Sequence, residues 1–191
     1  MEFLIENGIL LGVRQAQGQV MIPEGVCSIA DGAFRGESSI AEIMLPETLE
    51  EIGADAFADC SELRKLRIGA SVTQIGDGAF CRCEKLHLSV DEENTHYEMA
   101  GKCLVDKQTR KVIALLFGNE PVIPKGIRSL GRDLLCNGRM LKGIWLPESL
   151  EAIDQEPFAA YKHIKLWVCE GSFAMEYVKV HGLTYAPYSP K

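Results

Sequence analysis

The chain has 191 residues, a length for one domain or two small ones, and its 47% hydrophobic and 25% charged residues are ordinary for a globular protein. A net charge of −7 argues against DNA or RNA as partner, and against an anionic membrane surface, because both are bound by clustered Lys and Arg. No apolar run approaches the ~20 residues of a membrane helix, so no membrane insertion is expected; the longest, VIALLF (112–117), is strand-sized.

The N-terminus, MEFLIENGIL, lacks a basic region and a long apolar stretch and does not read as a signal peptide. The expected compartment is the cytoplasm if the chain has its native length, and the cell surface or the exterior if a signal peptide has been removed. The seven cysteines (Cys27, Cys60, Cys81, Cys83, Cys103, Cys136 and Cys169) are an odd number that cannot all pair within the chain. Buried cysteines acting as small hydrophobes suit a reducing compartment.

From residue 20 onward a fixed interval governs the apolar positions. Phe34, Phe57 and Phe80 are 23 residues apart, and so are Ile29, Ile52 and Ile75, Val26, Leu49 and Val72, and Ile40, Leu63 and Leu86. Charges between these positions drift while the apolar residues hold. Within one interval EIMLP (42–46) alternates polar and apolar and predicts a short strand with Ile43 and Leu45 inward, ended by Pro46, which has no N–H. GADAFADC (53–60) follows a turn with helix formers and predicts a single helical turn. The phase breaks after residue 86 and resumes with Ile127, Leu130, Leu135 and Leu141, then Leu150, Ile153, Phe158 and Ile164. Pro recurs after Ile22, Leu45, Ile123 and Leu146, and Gly recurs at Gly53, Gly76 and Gly131.

Such a fixed period predicts a solenoid. One coil alone buries too little to offset the entropy of ordering its backbone, so stacked coils must bury each other's faces and share ladder hydrogen bonds. Inward residues stack on their equivalents and keep their type. Outward residues meet water or a partner.

The pattern carried by IAEIMLPETLEEIGADAFADC (40–60) and LRKLRIGASVTQIGDGAFCRC (63–83) resembles the BspA-type leucine-rich repeats of bacteria and some protists. The resemblance implies that FLIENGILLGV (3–13) is an opening hairpin, and Asn7-Gly8 suits a type I′ turn there. It implies a hairpin insertion at LSVDEENTHYEMAGKCLVDKQTRKVIALLF (88–117), and a closing helix and strand in GSFAMEYVKVHGLTY (171–185). Ser172 is placed to cap that helix and Gly182 to end it. The expected architecture is one leucine-rich-repeat domain over 1–191: a cap hairpin (1–19), three coils (20–88), the insertion (89–120), two coils (121–168) and a closing cap (169–191). Leu134-Leu135 stand where Ala-Phe is usual, and Gly138, Glu37 and Tyr161 stand at the site of the repeat's Cys.

Cys60 and Cys83 are equivalent in adjacent coils, with expected Cα atoms about 4.8 Å apart. That spacing allows a disulfide, although two buried thiols in a ladder are the favoured reading. Cys81-Arg82-Cys83 with His87 lacks the paired spacing zinc prefers, and no metal is expected. His87, His96, His163 and His181 have no Ser, Cys or Asp in a catalytic pattern, and His181 is placed where a positive side chain suits a helix end. Glu47, Glu50, Glu51, Asp55, Asp59 and Glu62 fall at outward positions and read as a solvated face. No G-x-S-x-G, P-loop or G-x-G-x-x-G is present. No enzymatic activity and no cofactor is expected, and an enzyme is the most remote of the readings.

The residue between each inward pair of a strand faces out. This column holds Met44, Arg67, Trp145 and Trp167, and by the same phase Met21 and Val122. Outward Trp and Met mark an interaction surface. The competing expectation covers Trp167 with the closing helix (172–181) and Trp145 with a neighbour. The sequence therefore points to a non-catalytic module that binds a protein on the outer face of its strand ladder. The resemblance adds protein recognition or adhesion, often at bacterial surfaces. Self-association as a homodimer through the Met44–Trp145 face is the alternative.

Overall fold

A computed structural model describes residues 1–116, 120–137, 141–154, 157–158, 161 and 163–189. Phe117 and Gly138, both named above, lie outside them. The chain divides into two compact units, Met1–Glu98 and Met99–Lys191.

Unit 1 opens with β1 (Glu2–Glu6) and β2 (Ile9–Arg14), an antiparallel hairpin. Its turn residues Asn7 and Gly8 both have positive φ, the I′ requirement. Seven short strands follow: β3 (Gly18–Met21), β4 (Ser28–Ile29), β5 (Ile40–Met44), β6 (Glu51–Ile52), β7 (Lys65–Ile68), β8 (Gln74–Ile75) and β9 (His87–Val90). They form two sheets, β1-β2-β4-β6-β8 and β3-β5-β7-β9, parallel from coil to coil. The register holds like against like: Ile43 opposite Leu66, Ile29 opposite Ile52, Ile52 opposite Ile75. Phe34, Phe57 and Phe80 line up as a buried column, with ring centroids 5.3 and 5.8 Å apart and planes within 20° and 5°.

The stretch 53–60 is not a helical turn. Its amides alternate between two jobs. Ala56, Ala58 and Cys60 N–H groups donate three residues back within the coil, while Asp55, Phe57 and Asp59 N–H groups donate to Asp77, Ala79 and Cys81 carbonyls of the next coil. The preceding coil does the same: Gly32, Phe34 and Gly36 N–H donate to Ala54, Ala56 and Ala58. That alternation requires left-handed residues, found at Gly32, Asp55 and Gly78 and again at Gly36, Asp59 and Arg82. Bonding between coils has overridden the local helix propensity of Ala-rich sequence.

A hydroxyl latch fastens the turns after Pro23 and Pro124. Thr48 Oγ1 accepts from the Gly25 N–H (3.1 Å) and donates to the Val26 carbonyl (2.9 Å). In unit 2 Ser149 does the same to Gly126 (3.0 Å) and Ile127 (2.8 Å). After β9 the buried Asn94 takes over this role. Its Nδ2 donates to Gly69 O (2.7 Å) and Val72 O (2.9 Å), and its Oδ1 accepts from the His96 and Tyr97 N–H groups.

The boundary between units falls within β10 (Tyr97–Ala100). Next come β11 (Cys103–Asp106) and β12 (Lys111–Leu115), an antiparallel hairpin, and β13 (Ser129–Leu130), which resumes parallel pairing with β12. The remaining elements are β14 (Gly143–Trp145), β15 (Ala152–Ile153), β16 (Lys165–Cys169), α1 (Phe173–Val180) and β17 (Tyr185–Tyr188). The sheets are β10-β11-β12-β13-β15 and β14-β16-β17. Leu134 and Leu135 are both buried in the core of this unit with Phe158. Ser172 caps α1, accepting from the Met175 N–H at 3.2 Å, and Gly182 follows its end with positive φ. The molecule is a repeat solenoid closed by a helix and a strand.

Candidate protein-docking face

The six outward residues divide between the units, three on each. In unit 1 Met21 lies opposite Met44 in register, and Arg67 follows on β7. Met21 is 63% exposed, Met44 half-buried and Arg67 exposed. Polar contacts surround them. Gln19 Nε2 donates to Glu42 (3.3 Å) and approaches the Met44 sulfur (3.8 Å), Lys65 pairs with Glu42 (2.8 Å), and Arg67 pairs with Asp91 (2.6 Å).

In unit 2 Val122 bridges to Trp145, and Trp145 lies opposite Trp167. Val122 is 62% exposed and both indoles are half-buried. The two rings stack in parallel, centroids 4.7 Å apart and planes within 3°. Tyr188 meets Trp145 edge-on at 4.9 Å, and its hydroxyl donates to Leu146 O at 2.9 Å. Burial, then the neighbouring Cys169, raises the Tyr188 phenol above its ordinary range. Lys165 Nζ stands 5.4 Å over the Trp167 ring.

The closing helix does not cover Trp167. Strand β16 alternates, so Leu166 and Val168 point into the core where α1 packs Ala174, Met175 and Val178. Trp167 lies on the opposite side of the strand, against Trp145 and Lys165. Trp145 is covered by neighbours, namely Trp167 and Tyr188. Gly143 makes the stack possible: a Cβ there would run into the Trp167 ring and the Lys165 carbonyl. Gly143, Lys165 and Tyr188 were not singled out from sequence. The signal for the first two was their place two residues before each Trp; Tyr188 lies beyond the repeat and had none.

The other candidates resolve as structure. Cys60 and Cys83 are thiols and form no disulfide. Each donates to the Phe carbonyl one coil back, Cys60 to Phe34 O (3.1 Å) and Cys83 to Phe57 O (3.0 Å). Burial pushes both thiols, and Cys103, up to about 12. Among the described residues no group of three or more His, Cys, Asp or Glu side chains is arranged to hold a metal ion. Asp55 and Asp59 pair with Arg35, and Asp59 also with Arg82 (3.0 Å). Glu62 is held below the usual carboxylate range by its hydrogen bond from Lys85. Glu47, Glu50 and Glu51 are exposed. His87 and His181 each approach a backbone carbonyl, of Lys85 and Tyr177, while His96 contacts Thr95 and His163 lies near Tyr161. A concavity of about 350 Å³ over β4, β6 and β8 has Ser28, Asp31, Glu51 and Gln74 as its polar lining. No helix among the described residues is long and apolar enough to cross a membrane.

The model of the BspA type leucine rich repeat region matches residues 15–112 in six copies. The chain belongs to this family. A leucine rich cell surface protein from Faecalibacterium prausnitzii superposes on this BspA-type chain with a TM-score of 0.54 at 20% identity, over 91% of this chain and 60% of its own. A leucine-rich repeat protein from Eubacterium ventriosum gives 0.49 at 17% identity over 88% and 55%, and the T. pallidum leucine rich repeat protein 0.44 at 20% over 84% and 63%. The BspA-type chain thus spans less than two thirds of each of these structures. The first shows a common fold. No curated protein matches the chain. Repeat architectures of this kind present extended surfaces suited to binding.

Proposed function

We propose that this chain is a non-catalytic protein-binding module that docks a partner on the outer faces of its strand ladder, with Val122, Trp145 and Trp167 of unit 2 as the principal contact. The observation that carries this reading is the parallel indole pair, half-buried beside a largely exposed valine. Tryptophan is enriched among residues that dominate binding energy, because it buries much area at little entropic cost. The indoles already use faces against each other. Ring edges and Val122 are left to be covered, which suits interdigitating side chains better than a sugar ring laid on a flat aromatic. Met21, Met44 and Arg67 form a separate candidate contact on unit 1, where thioethers adapt to varied shapes.

The test is affinity capture from native lysate with the wild-type chain and Val122→Asp, read by mass spectrometry. Val122 is exposed, so its replacement leaves the core alone. Proteins retained by the wild type are expected to be lost from the variant. An identical set from both removes the face. Self-association, including a homodimer through Met44 and Trp145, is the second reading. It is favoured by the first hairpin, where Leu4 and Ile5 are exposed on the edge strand β1 and Ile9 and Leu11 on its neighbour β2. Sedimentation as a strict monomer at micromolar concentration removes it.

A further inference from the structure

The units place different groups at one ladder position. In unit 1 Glu42 lies opposite Lys65, and the pair closes at 2.8 Å. In unit 2 the same step of the ladder places Gly143 opposite Lys165. The carboxylate is gone, and the Trp167 ring occupies the room a side chain on Gly143 would need. Lys165 has no carboxylate partner among the described residues; its ammonium is exposed and held over the Trp167 ring at 5.4 Å. A cation fixed over an indole keeps its charge available while its stem packs against the ring. Beside it lie the edges of Trp145 and the exposed Val122. The face therefore joins an unanswered positive charge to an apolar surface, in a chain whose net charge is −7.

We propose that this face takes an acidic peptide segment of a partner protein. An Asp or Glu of the partner meets Lys165 as Glu42 meets Lys65, and an apolar neighbour of that residue covers Val122 and Trp145. The proposal rests on the docking reading above and names the chemistry of its partner. Charge complementarity at Lys165 itself selects the acidic segment: a carboxylate can pair with the ammonium held over Trp167, whereas a basic segment would oppose it directly.

The experiment pans the full chain against a random displayed-peptide library and titrates the recovered peptides with wild type, Lys165→Met, Lys165→Arg and Val122→Asp. Tryptophan fluorescence checks that each variant keeps the indole stack. The recovered peptides are expected to share an Asp or Glu beside an apolar residue. They should bind Lys165→Met about tenfold more weakly, bind Lys165→Arg nearly as well as wild type, and weaken with added salt. Peptides that lose Val122→Asp but bind Lys165→Met like wild type overturn the acidic partner and leave the docking face standing. Peptides indifferent to Val122→Asp remove the face itself. A selection without an acidic consensus, or one returning no binder, also overturns the proposal.

Discussion

In unit 1 the strand segments Glu42–Ile43–Met44 and Lys65–Leu66–Arg67 lie side by side; in unit 2 the corresponding segments are Gly143–Ile144–Trp145 and Lys165–Leu166–Trp167. The middle residue of each is buried and aliphatic, and the register around it is kept. The flanking residues differ together. Where the ladder keeps its own ion pair, the following positions are Met and Arg with polar neighbours. Where the acid has become Gly143, the freed space is filled by Trp167 stacked on Trp145. Outward residues are thus not independent of one another. Each change is negotiated with the neighbour one strand away, while the buried residues set only the spacing.

The largest effect expected from breaking this comparison lies beneath the two faces. Phe57 is sandwiched between two parallel rings, whereas Phe158 meets Tyr177 edge-on at 6.2 Å. Phe57→Ala should cost about 3–5 kcal/mol in urea unfolding, with Phe158→Ala at the lower end of that range. Equal losses would mean that the continuous column adds nothing to burial. Next in size is the ladder position itself. Gly143→Ala drives a methyl into Trp167 and should cost about 1–3 kcal/mol, with a red shift of tryptophan emission as the stack opens. Glu42→Ala removes only a solvent-facing pair and should cost less than about 1 kcal/mol. If the two matched, Gly143 would not be what admits the indole.

Smallest per group, though summed over three thiols, is a pH dependence. The unfolded thiols ionise near 9, while Cys60, Cys83 and Cys103 hold their protons up to about 12 when folded. Above 9 the unfolded state alone releases these protons, so stability is complete below 9 and is lost as pH rises toward 12. The loss should be roughly 1 kcal/mol per thiol over the first pH unit. Two of the three thiols lie in unit 1 and one in unit 2, so Cys60→Ala with Cys83→Ala should flatten the alkaline slope more than Cys103→Ala does. Urea titrations between pH 8 and 10 would measure it.

The repeat was legible because burial acts on residue type at a fixed interval, and Phe34, Phe57 and Phe80 stack as that interval demands. The outward column was legible from strand alternation. The coil turns depart from the expected helical turn, since Ala56 and Ala58 suggest helix while the amides between them are drawn to the next coil. A signal was present: Gly32 and Gly78 share their column with Asp55, and Gly36 shares its column with Asp59, residues that tolerate left-handed backbone. The aromatic cluster was only half legible. Trp145 and Trp167 are 22 residues apart rather than 23, and Tyr188 reaches them from a closing strand outside the repeat.

Thr48 and Ser149 each reach back to the turn of the preceding coil, and the same two backbone atoms receive them in both places. Such a fastening does not depend on where in the stack it occurs. A coil that carries this hydroxyl can therefore be added whole behind any coil whose turn offers the same two backbone atoms. The docking face would grow or shrink in increments of one strand spacing, about 4.8 Å, without disturbing the surfaces already in use.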